Sequence, residues 1–211
     1  MKNRNKTVLV ILIAIILSGL LSFHFYFIRD PNIEVPSDEK VIVSPASGKI
    51  IKIIDLKDVD KLEIEKGVLG KIKTSASEVC NECYLISIFM TPLDVHIQRS
   101  SVSGKVISVR HEDGTLLPTT KFENGMINER TEIIIENKII GKVKIIQIAG
   151  FIVRRIETWA SVGQELEKGE RIGLIRYGSQ VSVILPKEKV ELVVKEGEHV
   201  ETGSSIIARI K

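Results

Sequence analysis

Aromatic side chains make up only 5% of the 211 residues, with a single Trp, and the chain holds six Pro and two Cys. Cys80 and Cys83 alone cannot build a disulfide-stapled scaffold or a complete four-cysteine zinc site within one chain, so stability has to come from packing. Charge of one sign is also scarce in net terms. Thirty basic against 27 acidic side chains leave +3, evenly mixed along the sequence, which excludes nucleic acid as the expected partner. Beyond the N-terminus no long 3.6-period stretch occurs, which argues against βαβ units and heptad helices. What remains, 44% apolar and 27% charged residues, is a globular composition with enough chain for a real core.

One long apolar run stands out. Val8 to Ile28 contains no Asp, Glu, Lys or Arg, and as a helix it covers about 30 Å, roughly a bilayer hydrocarbon core. Lys2, Arg4 and Lys6 precede it, whereas Arg29 and Asp30 follow, so the positive-inside rule favours a cytoplasmic N-terminus. No small-x-small cleavage site follows the run, which argues against a removed signal peptide. His24 with Phe23, Phe25 and Tyr26 reads as an interfacial aromatic belt. Residues 1–28 are expected to anchor the protein in the cell membrane as a single segment, 29–40 to link, and 41–211 to form the body. A shallow, non-spanning seat stays open, and so does the side on which the body lies.

The body is written in short Val- and Ile-rich runs bounded by Gly, Asp, Asn and Lys: 41–45, 48–54, 84–90, 104–109, 131–137, 141–150, 181–185 and 190–194. Each reads as a strand. Segments 162–175 and 194–210 resemble one another in their glycines and following apolar pairs, each a tight turn with glycine at positive φ leading into a strand. The expected fold is mainly β: a compact barrel-sandwich-like domain with hammerhead-type repeats behind one N-terminal membrane helix. Biotinyl and lipoyl carriers share such turns, but no lysine sits in the hairpin context that a carrier needs.

FMTPLDVHIQR at 89–99 sets Asp94 and His96 two apart after an apolar strand. In extended structure both side chains share a face. A carboxylate there can orient an imidazole whose ordinary pKa near 6.5 lets it exchange protons at working pH. Further on, RIGLIRYGSQVSVILP at 171–186 places Gly178 and Ser179 between two apolar runs. A Gly-Ser in that setting alone is a turn or bulge.

Taken in order, FIRDPNIEVP, VSPASGKI, FMTPLDVHIQRSSVSGKV, RHEDGT, NER, IAGFIVRRIE and GERIGLIRYGSQVSVILP make the chain similar to the short-form phosphatidylserine decarboxylases from about Phe27 to about Leu185. The resemblance implies a carboxy-lyase whose proenzyme cuts itself at Gly178–Ser179. Ser179 would become a covalent pyruvoyl cofactor, leaving chains 1–178 and 179–211. It assigns the base to Asp94 and His96. It also implies an anionic serine phospholipid as substrate, and no metal. His96 is the first candidate to return a proton to the substrate carbon, and His111 in RHEDGT the second. Arg99, Arg154 and Arg155 are the candidate cations for the head group, although in a strand only one of Arg154 and Arg155 can face a given site.

Three departures from the family pattern bear on the substrate. Gln180 and Ser182 stand where family members often carry Arg and Asp, Ser47 replaces an Asp common in the SPADG motif, and the proline usual after the DVH motif's arginine is absent. The nucleophile and base persist, so the head group is phosphatidylserine or that of an ether-lipid analogue. The competing reading is a non-enzymatic membrane-anchored β-module, an adaptor or envelope protein in which Gly178–Ser179 is an ordinary turn. A homodimer is left open. For Cys80 and Cys83 a metal half-site shared between two chains and a local disulfide are alternatives to the plainer expectation, a reduced pair in a β-turn.

Overall fold

The computed structural model describes residues 2–56, 76–151, 156–176 and 179–211. Helix α1 (Lys2–Phe27) carries the apolar run. Its Asn5–Phe27 portion is long and apolar enough to cross a membrane, with mean hydropathy 2.6 over its most apolar 18 residues and none of those buried.

The body follows the short β-branched runs. Strands β1 (Val41–Val43), β2 (Gly48–Asp55), β3 (Cys83–Phe89), β4 (Ile97–Arg99) and β5 (Gly104–Glu112) precede a helical turn, α2 (Phe122–Gly125). Then come β6 (Arg130–Asn137), β7 (Gly141–Ile148), β8 (Ile156–Thr158), β9 (Glu165–Leu166), β10 (Arg171–Ile175), β11 (Gln180–Pro186), β12 (Val190–Leu192), β13 (His199–Val200) and β14 (Ile206–Ile210). Every strand expected from the sequence is present. Eight of the fourteen form one curled sheet in the order β13-β2-β3-β11-β7-β6-β5-β9, and two three-stranded sheets, β1-β14-β12 and β4-β10-β8, complete the body.

Period-2 alternation divides the large sheet between two cores. Val181, Val183 and Leu185 of β11 join Ile86 and Ile88 of β3 and residues of both small sheets in the main cluster. Ile184 faces the other way, onto Leu85, Ile146, Phe122 and Met126. Strand β11 is therefore buried on both faces along its whole length, which is why it carries no charged residue and places Val, Ile or Leu at four of its seven positions.

The two similar segments near the C-terminus belong to a larger internal kinship. Ser44 N–H donates to Ser205 O and Ser100 N–H to Glu170 O; Gly203 N–H donates to Ser44 O and Gly169 N–H to Ser100 O; Ile50 N–H donates to Glu198 O and Val106 N–H to Gln164 O. Residues 43–50 (VSPASGKI) and 99–106 (RSSVSGKV) are thus equivalent, and each is embraced by one of the C-terminal segments. The two halves cross at Val43 N–H to Ser101 O and Arg99 N–H to Pro45 O. In each half a glycine opens the long strand at positive φ, Gly48 at 147° and Gly104 at 154°. A Cβ there would lie 2.2 Å from Phe89 O or 2.3 Å from Glu136 O, so neither position accepts another residue without moving the neighbouring strand.

Cys80 and Cys83 are joined in a disulfide with Cα atoms 5.8 Å apart. The expected reduced turn is corrected: a backbone turn closed by Val79 and Cys80 N–H on Ala76 O brings the two residues together.

Gly104→Ala and Gly48→Ala are each expected to lower stability by about 2 kcal/mol, the cost of a forbidden φ combined with a steric clash. Denaturant unfolding monitored at Trp159 measures the loss. Equal losses at the two positions are expected from their equivalence.

Candidate functional site

Ser179 stands at the head of β11, fully buried. Its carbonyl accepts the Met90 N–H at 2.9 Å, and the contact of its hydroxyl is the thioether of Met90, Oγ to Sδ 3.6 Å. A serine hydroxyl with only a weak sulfur acceptor keeps its oxygen lone pairs free. Gly178 lies outside the described residues, as do Arg154 and Arg155.

After β3 the chain does not stay extended. Pro92 occupies the second position of a turn closed by Asp94 N–H on Thr91 O at 3.0 Å, a place that suits its fixed φ. The Asp94 carboxylate ties the turn down, its Oδ2 accepting from Thr91 N–H at 2.6 Å and from Thr91 Oγ1 at 2.7 Å. Its Oδ1 lies 2.9 Å from Nε2 of His199 on β13. The side chains of Asp94 and His96 therefore do not share a strand face as the extended reading expects. The link between them is the main chain: His96 Nδ1 is 2.9 Å from the Asp94 carbonyl.

That hydrogen bond fixes the state of His96. A carbonyl only accepts, so Nδ1 carries the hydrogen, and in the neutral ring Nε2 is the bare acceptor. His96 is fully buried, and its Nε2 has no hydrogen-bond partner among the described residues. Burial pushes the imidazole pKa down to about 4, against the opposing pull of the Asp94 carbonyl and charge and with a smaller push from Arg29. At neutral pH the ring is an uncharged base with its lone pair unspent. Gln98, also buried, donates to the His96 carbonyl at 2.6 Å and lies 3.8 Å from the Met90 sulfur. Gln147 on β7 donates to Gln98 Oε1 at 3.0 Å, and Thr158 on β8 donates to Gln147 Oε1 at 2.9 Å. A chain of contacts thus runs from the Ser179 hydroxyl through the Met90 sulfur and the Gln98 amide to the His96 carbonyl.

The end of the anchor forms one wall of this site. Phe27 is completely buried, and its ring centroid lies 3.8 Å from that of His96. Tyr26 Oη and Arg29 Nη2 both donate to the Leu93 carbonyl, at 3.3 and 2.6 Å, and the Arg29 guanidinium lies over the Tyr26 ring. Asp30 accepts from Arg99 at 2.6 Å and pairs with Arg171. Arg99 also donates to Gly169 O at 2.9 Å. Its guanidinium is thereby occupied in bolting the linker to the body.

His111 sits elsewhere. It pairs in register with Thr131 on β6, Thr131 with Gln147 on β7, and Gln147 with Val181 on β11, so three strand spacings, about 14 Å along the sheet, separate it from the strand headed by Ser179. Its ring bonds Thr131 Oγ1 at 3.0 Å. Gln180 and Ser182, where the family often has a cation and a carboxylate, both reach Ser87: the Gln180 amide donates to its hydroxyl, and Ser182 Oγ is 3.0 Å from it. A neutral buried trio thus fills the place of a charged pair.

His199 and Arg29 are the residues that sequence reasoning misses. His199 lies in a polar turn with no motif around it, and only the pairing of β13 with β2 brings it to Asp94. Arg29 reads as a membrane flank, and only the docking of the anchor turns it toward the site.

Three comparisons with known proteins bear on this arrangement. Residues 20–208 match the phosphatidylserine decarboxylase family. The chain is 38% identical to the phosphatidylserine decarboxylase proenzyme of Carboxydothermus hydrogenoformans, covering 91% of this chain and 82% of that one. It is 36% identical to a protein of Methanocaldococcus jannaschii provisionally named archaetidylserine decarboxylase proenzyme, with 92% and 93% covered. It is 35% identical to the phosphatidylserine decarboxylase proenzyme of Chlorobium limicola, with 90% and 80% covered.

Folding favours the neutral His96 ring, so the contribution of this residue to stability is complete above pH of about 6.5 and is lost as the pH falls toward about 4. An NMR titration of the ring is expected to find its midpoint near pH 4. In Phe27→Ala, which opens one face of the ring to water, the midpoint is expected to move up toward the ordinary value. An unmoved midpoint would contradict the shielding role of Phe27.

Proposed function

The chain belongs to the phosphatidylserine decarboxylase family of carboxy-lyases, and we propose that it is a membrane-associated decarboxylase of a serine-headed phospholipid. It works through a pyruvoyl group made from Ser179 by self-cleavage at Gly178–Ser179. Membership of an enzyme family removes the adaptor reading. The relatives are named for both phosphatidylserine and archaetidylserine, so the diacyl lipid and its ether-linked analogue are the two candidate substrates.

One observation carries the chemistry. Oγ of Ser179 and Nε2 of His96 are buried and lack nitrogen or oxygen partners among the described residues, and the Gln98 amide at the Met90 sulfur that Ser179 Oγ contacts also donates to the His96 carbonyl. Nε2 takes the proton from the serine hydroxyl as Oγ replaces the Gly178–Ser179 amide by an ester. Loss of the α-proton of residue 179 to a base then breaks its Cβ–Oγ bond, Gly178 leaving as a carboxylate, and water hydrolyses the resulting dehydroalanine, through its imine tautomer, to a pyruvoyl group and ammonia. The residues present fit the product: Ser179 is fully buried, and loss of its hydroxyl would break only the weak hydrogen bond to the Met90 sulfur among the described residues. Once formed, the pyruvoyl carbonyl supplies an electrophile that condenses with the substrate amine and accepts the electrons released with carbon dioxide. Nε2 of His96, bare at rest, would take the proton that the substrate ammonium gives up and return it to the α-carbon after carbon dioxide leaves. Asp94 positions the turn before His96 through Thr91 and His199. Arg29 bonds only carbonyls and has no carboxylate partner among the described residues, so its charge is available for the lipid phosphodiester.

The cut chain stays together without a covalent link. Segment 179–211 supplies β11, paired with β3 over seven positions and with β7 over five, as well as β12, β13 and β14. The Asp94–His199 pair bridges the two products.

Purified full-length protein is expected to convert phosphatidylserine in mixed micelles to phosphatidylethanolamine with release of carbon dioxide, and Ser179→Ala to convert none. Arg29→Gln is expected to raise KM roughly tenfold with kcat little changed, the loss of one charge-assisted contact. Undiminished turnover by Ser179→Ala would refute the assignment of the electrophile, and an unchanged KM in Arg29→Gln would refute the phosphate contact.

A further inference from the structure

We propose that the Ser179 end of the large sheet is itself a lipid-facing surface, with Leu93 and Phe151 entering the head-group region of the bilayer beside the exit of the anchor. The inference rests on the membrane-associated reading and adds to it a second point of contact. Gln180, next to Ser179, pairs with Phe89 at the end of β3 and with Ile148 at the end of β7, so both strands finish at the Ser179 end. Leu93 follows β3 by four residues and is 66% exposed; Phe151 follows β7 by three and is 62% exposed. Since β3 and β7 flank β11, the two strand ends lie about 10 Å apart.

The depth of this end is set by the anchor. Leu93 is not on a free loop, because its carbonyl is held by Tyr26 Oη and Arg29 Nη2, and Tyr26 belongs to the aromatic belt that closes the apolar helix. Such belts sit at the head-group level of a bilayer, and a leucine fastened to that level with its side chain exposed has lipid as its nearest apolar environment. Arg29, beside it, carries the positive charge that an anionic lipid surface attracts. The occupant that the geometry points to is the bilayer. A site opening onto head groups would receive its substrate from the membrane plane without lifting the acyl chains into water.

The far end of the sheet supplies the control. Ile139, 50% exposed, caps the β6–β7 hairpin, roughly 25 Å from the Ser179 end at about 3.3 Å per residue. In full-length protein carrying Trp159→Phe, a tryptophan placed at Leu93 and, separately, one placed at Ile139 report depth after reconstitution into phosphatidylcholine vesicles with a minority of phosphatidylglycerol. Leu93→Trp is expected to show blue-shifted emission quenched by lipid brominated high on the acyl chain; Ile139→Trp is expected to emit as in water, unquenched. Water-like emission from both would overturn the proposal. So would a blue shift at position 93 that bromolipid leaves untouched and that grows with protein density, since a second copy of the chain would then cover this face. Failure of the protein to float with vesicles would instead defeat the membrane-associated reading itself. As an activity readout, Phe151→Asp is expected to lose about tenfold on vesicle phosphatidylserine, the equivalent of one unburied apolar side chain. It is expected to match the unsubstituted protein on water-soluble short-chain phosphatidylserine. Equal loss on both substrates would indicate damage to the site and overturn the proposal.

Discussion

The position of β11 between β3 and β7 is the constraint on which the rest of the molecule depends. Two ladders and two buried faces hold the strand, and Ser179 immediately precedes it. A nucleophile in a mobile loop would sample many geometries relative to His96; one fixed at the head of the most buried strand does not. The same ladders make self-cleavage compatible with a stable fold, because the segment beyond the cut contributes a central strand together with β12, β13 and β14. Removal of that segment would expose both cores.

The second constraint is the seam between anchor and body. Phe27 covers His96, Tyr26 and Arg29 hold the Thr91–Asp94 turn, and Asp30 is gripped by Arg99 and Arg171. Consecutive residues leaving an apolar helix thus fix the Thr91–Asp94 turn and cover His96, so the helix is joined to the body by more than the linker. By excluding water from one face of the imidazole, Phe27 helps keep the ring neutral and Nε2 basic. Arg99, an attractive head-group ligand in sequence, is spent on this seam.

Much of the fold is legible in the sequence because the runs of Val and Ile are local signals: β2, β3, β6, β7 and β11 each announce themselves by composition. The glycine pattern of the C-terminal segments is legible too, and Gly163, Gly169, Gly197 and Gly203 all adopt positive φ. The kinship of VSPASGKI with RSSVSGKV can be read in the letters, but its meaning emerges only from the reciprocal hydrogen bonds that cross between the halves. The site is less legible. Asp94 and His96 are visible as a motif, yet the turn at Pro92 redirects the carboxylate to His199, and nothing local in GEHVETG marks that residue. Nor does sequence spacing reveal that His111 is carried away by three strands, or that Gln180 and Ser182 settle on Ser87 as an uncharged substitute for an ion pair.

Intact mass under native and then denaturing conditions is the most direct test of the claim that Ser179 is converted within a strand that stays in place. The account predicts a single particle under native conditions that separates on denaturation into 1–178 and 179–211, the latter without a free N-terminal amine. Recovery of one uncut chain of 211 residues from active protein would contradict it.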